Sequence, residues 1–323
     1  MRFNVRPAGL LLLLAATAAF AIDLVEPPAW AYPMLPADLK PPVDDGVPRT
    51  RAGSSASYTV TQMNNVRAFV SPDWFPQEHA PMPPVVANGR APTVFACAFC
   101  HRADGSGGPE NANIAGLPAE YILQQLADYK IGARSTSVPK RGPGALMINL
   151  SKALTDEEAV AAARYFAQLK RKENVRVVET AVVPRIVPAS WFLTASTNGE
   201  TEPTGNRVLE VPEDVEQFEM RDTRARFIAY VPPGSIARGE ALVRTGAGGK
   251  TMACTACHGS DLNGVGNIPP LACRSPSYLV RQMVDFQHGT RSGPSAVLMK
   301  EPVARLTIDH MVAIGAYLAS RKP

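Results

Sequence analysis

Two stretches decide how this chain is read: FACAFCHRADG at residues 95–105 and MACTACHGSD at residues 252–261. In each, two cysteines stand two residues apart, Cys97 with Cys100 and Cys254 with Cys257, and a histidine follows at once, His101 and His258. That spacing is the attachment pattern for haem c. Two thioether bonds fix the porphyrin edge, and the adjacent histidine reaches the iron through an imidazole nitrogen. A thioredoxin-type pair would tolerate other residues after the second cysteine, and a structural zinc site would need a second ligand pair at each position. The fifth cysteine, Cys273, has no partner thiol, so the set does not form a scattered disulfide framework.

The two motifs lie 157 residues apart, from His101 to His258, and the same offset runs on without a gap. Asp104 faces Asp261, Gly107 faces Gly264, Ala115 faces Ala272, Tyr121 faces Tyr278, Gln125 faces Gln282, Asp128 faces Asp285 and Arg134 faces Arg291. An internal duplication leaves this trace. In both copies a glycine-rich stretch follows the motif. An amphipathic segment comes next, Ala119 to Tyr129 and Ser277 to Phe286, and reads as a short helix. Pro118 and Pro276 stand where each helix begins, and Gly132 and Gly289 just past its end. Five residues are then missing from the second copy, the offset becomes 152, and Met147 faces Met299. Beyond them Leu154-Thr155 faces Leu306-Thr307 and Tyr165 faces Tyr317, with apolar spacing for closing helices of roughly a dozen residues. Thr155 ahead of Asp156, Glu157 and Glu158 predicts a capped start. Each repeat thus runs motif, loop, helix, loop, methionine, helix.

That order resembles the class I c-type cytochromes, specifically their tandem dihaem members. The resemblance implies a mainly α chain with two small helical cytochrome c domains in tandem, residues 90–172 and 234–323, each around a covalently bound haem c. An irregular or β-containing insert, 173–233, joins them, with strands predicted at Val175 to Val178 and Arg226 to Val231; it either wraps a domain or forms a docking surface. The resemblance also implies iron ligation by His101 with Met147 and by His258 with Met299. A thioether is a soft, neutral ligand that favours ferrous iron and raises the potential, which suits an electron carrier. The competing reading, core filling, is the default for any methionine, and the repeat register weighs against it here.

Around the sites, His79, His288 and His310 have no support from the repeat and are expected at the surface or at helix caps, and Cys273, opposite Gly116, is expected to be buried and inert. The family's helix ahead of the motif is expected at Ile236 to Val243, ending near Gly246. The first copy has Pro81, Pro83 and Pro84 there, so cover from Tyr58 to Phe69, or from Trp74 and Phe75, is expected instead. The second imidazole N–H is expected on the carbonyl of Pro269 or Pro270; Asn113 lies opposite Pro270, so a different contact is expected at the first site. Arg134, Arg141 and Arg291 are candidates to hold haem propionates.

Residues 1–31 read as a secretory signal: Arg2 and Arg6, an apolar run from Ala8 to Ile22, and small-residue sites at Ala19-Phe20-Ala21 and Ala29-Trp30-Ala31. The apolar run is short of the roughly 20 residues that span a bilayer. A periplasmic location is expected, with membrane association only through a partner or an uncleaved signal. Residues 32–89 form an N-terminal extension. The formal charge of +4 without any block of like charges gives nucleic-acid binding no support. No Ser-His-Asp order, phosphate loop or paired-carboxylate signature competes with the haem reading. The expected function is therefore non-enzymatic: a carrier of single electrons between redox proteins. The resemblance implies an exported dehydrogenase as donor and an oxidase or small cytochrome as acceptor. The alternative is a dihaem enzyme with a labile distal position, a peroxidase or an oxidant of sulfur compounds.

Overall fold

The computed structural model describes Met1, residues 24–40 and residues 42–323; the apolar core of the predicted signal and its first cleavage site lie outside the described residues. The first helical unit holds α1 (Cys97–His101), α2 (Ala119–Lys130), α3 (Gly142–Ala153) and α4 (Asp156–Gln168). The capped start of α4 is as predicted: Thr155 accepts from Glu158 N, and the Glu158 side chain returns to Thr155 N. The spacing of Ala162, Tyr165 and Phe166 turns one face of α4 inward, onto a core with Val86, Leu117, Ile122 and Leu154.

The segment between the units is a structured element. Strands β1 (Val175–Glu179), β2 (Leu209–Pro212) and β3 (Phe227–Val231) form one sheet, and the short helix α5 (Val215–Glu219) lies between β2 and β3. The central strand β3 runs parallel to β1 and antiparallel to β2. Its alternate residues Phe227, Ala229 and Val231 are buried in the same core as the second helical unit. Both strands expected in this segment are present, and two small antiparallel ribbons, Val182–Pro184 with Thr201–Pro203 and Ile186–Pro188 with Leu193–Ala195, extend it.

The second unit contains α6 (Ser235–Thr245), α7 (Thr255–His258), α8 (Pro276–Gln287), α9 (Val297–Val303) and α10 (Ile308–Ala319). The helix expected before the second motif is α6, closed by left-handed Gly246. It crosses α10 so closely that a Cβ on Gly239 would collide with the Ala313 carbonyl oxygen. The first copy keeps one turn of helix there, Pro84–Ala87. Pro84 opens that turn where no N–H is needed, so the prolines shorten the helix without abolishing it.

Met147 and Met299 precede the closing helices α4 and α10, in the expected order, but lie within helices of their own, α3 and α9, which the sequence pattern does not predict. Pro143 stands in the first turn of α3, and the turn at Pro294–Ala296 leads directly into α9, so helix begins before each methionine.

The two units meet along a pseudo-two-fold seam. Ser135 N donates to Thr290 O (2.7 Å) and Ser292 N to Ala133 O (2.8 Å) around a bridge between Arg134 and Arg291. Arg134 donates to Gln125 of its own repeat and to Tyr278 and Gln282 of the other; Arg291 donates to Gln282 of its own and to Tyr121 and Gln125 of the other. Residues from Val25 to Tyr32 pack beside the seam on α8: His288 Nε2 bonds Val25 O, Arg281 donates to Ala31 O, and the Tyr32 hydroxyl reaches Asp285.

Candidate functional site

Each motif ends in a loop with the same bonds. Gly107 N returns to His101 O and Gly264 N to His258 O, both at 2.9 Å. Both glycines hold positive φ, 64° and 81°, a conformation that disfavours a side chain. The loops carry a backbone carbonyl to each imidazole: Ala112 O stands 2.8 Å from His101 Nδ1, and Pro269 O stands 2.8 Å from His258 Nδ1. A carbonyl only accepts, so each Nδ1 carries the proton and each Nε2 keeps its lone pair for a metal. Burial pushes both imidazole pKa values down, toward the neutral form a ligand requires. The expected difference between the sites is thus absent at this contact: the partner at the first site is Ala112, not Asn113, and a main-chain acceptor survives the change of side chain.

The first motif faces a cavity of about 620 Å³ whose lining includes Cys97, Cys100, His101 and Met147. Ile114, Leu117, Ile122, Leu126, Leu150 and Phe166 make much of its wall apolar. The expected cover from the Tyr58 to Phe69 segment is present through Asn64 and Val66. Trp74 and Phe75 are not part of it; they pack with Met63 and Met220, where Trp74 Nε1 donates to Met220 O at 2.7 Å. Instead the insert supplies Trp191, Phe192, Phe218 and Arg221. The sequence carries no local signal for these, since they reach the site through the fold of the insert. Burial pushes the Cys97 thiol up to about 12 and the Cys254 thiol up to about 11, and no disulfide is formed by any cysteine.

The second motif sits on α7, with Met299 half-buried against the core that Cys254 also joins. Here His258 is buried, Cys257 is exposed, and Met252, Val297 and Leu298 expose 52%, 62% and 77% of their surface.

Of the three arginines considered for propionates, Arg134 and Arg291 direct their donors to the seam glutamines and tyrosines. Arg141 differs. Like Arg134 it lines the cavity, but it spends one donor on Trp191 O and leaves Nε without a partner among the described residues. Arg102 Nη1 is likewise buried and unpartnered. Desolvation pushes the Arg141 pKa down to about 9 and that of Arg102 down to about 10. An apolar cavity with unspent guanidinium donors suits a flat apolar ring bearing carboxylates.

The other histidines hold structural positions. His310 completes the capping box of α10 with Thr307, His288 caps α8 and bonds Val25 O, and His79 is bonded to Asp73 and to the Tyr165 hydroxyl. Cys273 is buried and takes a left-handed φ of 59°, matching Gly116 at 64°. Their amides bond equivalent carbonyls, Leu318 O and Phe166 O, so Cys273 occupies a turn of the repeat.

The family model described as "Cytochrome c" matches residues 86–170. The chain is similar to the thiosulfate dehydrogenase electron acceptor of Thiomonas intermedia, 27% identical over 71% of this chain and 80% of that protein. It is similar to cytochrome c4 of Pseudomonas aeruginosa, 26% identical over 69% of this chain and 82% of that one. Against cytochrome c-554(548) of Halomonas halodenitrificans it is 34% identical, over 23% of this chain and 89% of the relative. With two haem motifs in one duplicated chain, it belongs to the class I c-type cytochromes, among their dihaem members, carrying two covalently attached haem c groups and passing electrons between redox partners.

Proposed function

We propose that the two helical units are tandem cytochrome c domains, residues 90–172 and 234–323, with the extension 32–89 covering the first and the insert 173–233 between them, its sheet packed on the core of the second while Trp191 and Arg221 reach the cavity of the first. Cys97, Cys100 and His101 hold one haem, with Met147 as distal ligand; Cys254, Cys257 and His258 hold the other, with Met299. Haem iron supplies a one-electron couple. The chain's own residues orient and enclose it: the carbonyls of Ala112 and Pro269 fix each imidazole, and the apolar walls exclude water. The observation that carries this reading is the pair of Nδ1 contacts at 2.8 Å, made by equivalent carbonyls of the two repeats.

With both distal positions filled, the chain is a carrier and not an enzyme. Export to the periplasm follows from the signal within residues 1–31, cleaved at Ala19-Phe20-Ala21, because residues 25–31 are bonded into the fold. The donor is an exported dehydrogenase acting on a reduced sulfur compound, a class suggested by the relative named as a thiosulfate dehydrogenase electron acceptor. The acceptor is an oxidase or another small cytochrome. Carbon monoxide binding to the fully reduced protein, counted against covalent haem, tests the central point. Neither haem is expected to bind it; stoichiometric binding at one haem refutes the carrier reading and points to catalysis at a labile site.

A further inference from the structure

The two units also meet at the loops that carry the imidazole acceptors. Arg274, in the second unit, is 3% exposed. Its Nε donates to Pro270 O at 3.3 Å, in its own loop. Its Nη1 donates to Asn113 O at 2.5 Å and to Asn113 Oδ1 at 3.0 Å, and its Nη2 to Ala115 O at 3.3 Å, all in the loop of the first unit. Asn113 and Pro270 are equivalent residues of the two copies. Each directly follows the residue whose carbonyl faces a motif histidine, Ala112 at His101 and Pro269 at His258. One guanidinium is thus bonded beside both imidazole acceptors.

Packing does not account for an arginine here. Its bonds all end on uncharged oxygens, and burying a guanidinium without a carboxylate is costly. Desolvation, with repulsion from Arg171 added, pushes its pKa down to about 10. Leu117 stands at the same position of the first copy, buried in that unit's core. The position accepts an apolar side chain, so what distinguishes Arg274 is its set of bonds.

Arg171, in the first unit, makes a one-sided version of the contact. It donates to Ala272 O at 2.7 Å and to Asn263, both in the loop of the second unit. Ala272 is the equivalent of Ala115, so matched carbonyls of the two loops are each taken by an arginine of the other unit.

A fixed acceptor on Nδ1–H holds the plane of a ligating imidazole and raises its basicity. The contacts at 2.8 Å reach the end of the hydrogen-bond range after a shift of about 0.5 Å. A guanidinium carries its donors in a rigid planar fork and so fixes the separation of the groups it joins; a lysine ammonium is a single point on a flexible stem. We propose that Arg274 is a positioning residue for both axial imidazoles: by holding Asn113 and Pro270 it keeps the carbonyls of Ala112 and Pro269 on His101 and His258. The inference rests on the axial reading of these histidines. The second unit thereby completes the proximal side of the first.

The test is deuterium exchange of the two Nδ1 protons, followed by NMR in the reduced protein carrying both haems and isotope-labelled histidine. Porphyrin ring current should displace these two signals from those of His79, His288 and His310. A parent spectrum without that displacement refutes the axial reading, while the exchange rates of the same two protons still decide the positioning. In Arg274→Leu and Arg274→Lys both protons should exchange about tenfold faster, the effect of losing one bond to a charged donor, while the amides of α4 and α10 keep their parent rates. Arg171→Gln should quicken the His258 proton alone. Asn113→Ala keeps Arg274 but removes its Oδ1 acceptor; it should quicken the His101 proton alone, and it decides the matter if the Arg274 variants do not fold. Protons that keep their parent rates in these variants, or quicken no more than the helix amides, overturn the proposal. Quickening of the His258 proton alone in Arg274→Lys also overturns it, since Arg274 would then serve only its own loop.

Discussion

The second unit covers its core with a full helix of its own, and the first borrows that cover. In the second, α6 lies across α10 at the Gly239–Ala313 crossing, and α10 is buried from Met311 to Ala319. In the first, one turn at Pro84–Ala87 stands where α6 stands, and the wall is completed by Asn64 and Val66, by Trp191 and Phe218 of the insert, and by Arg281 of the other unit. A duplicated chain therefore repeats its backbone contacts without repeating its environment. Main-chain bonds survive substitution, as at Ala112 and Pro269, whereas cover and charge depend on segments outside the repeat.

The comparison can be broken most severely at the motifs. His101→Ala and His258→Ala should each lower covalent haem content or leave one iron without its proximal ligand, with the other site spectrally intact; absorbance and haem mass per chain measure this. Loss of both signals from one substitution would make the units interdependent. At the seam, Arg134→Ala and Arg291→Ala each remove one of the two donors to Gln125 and Gln282 and the donor to one tyrosine, Tyr278 or Tyr121, a cost of roughly 1–3 kcal/mol. The pseudo-two-fold arrangement predicts that the two losses, read from urea midpoints, are alike.

A smaller effect separates the units. Gly239→Ala forces α6 away from α10 and should cost about 1–3 kcal/mol in the second unit alone. The caps supply the control: Thr155→Ala and Thr307→Ala should cost about 1 kcal/mol each, equally in both. The smallest effect belongs to the first unit. The bond to Asp73 holds the His79 pKa above its ordinary value. That stabilisation is complete below the unfolded value of about 6.5 and is lost as pH rises through the folded value. The melting temperature of the parent should therefore fall more than that of Asp73→Asn over this window.

Much of the site was legible in the sequence because the haem motif is a local pattern and the repeat gave each residue a second witness. The starts at Pro118 and Pro276, the cap at Thr155, α6 with Gly246, and strands β1 and β3 all follow from short-range chemistry. What stayed hidden is long-range. Trp191 and Arg221 meet the cavity only once the insert has folded, Arg134 and Arg291 find each other across the seam, and Trp74 and Phe75 are drawn to Met220. Periodicity placed a helix after each methionine but not around it, since α3 is marked by Pro143 in its first turn and α9 by the preceding turn at Pro294–Ala296, not by a clear apolar stripe.

The strap from Val25 to Tyr32 sets an order in time. Its partners on α8 lie 249 to 263 residues further along the chain. Closing so long a loop is entropically costly and slow relative to local helix formation. The strap is among the first of the described segments to be synthesised and the last to find its place, so the seam is sealed only after the C-terminal half has been made and folded.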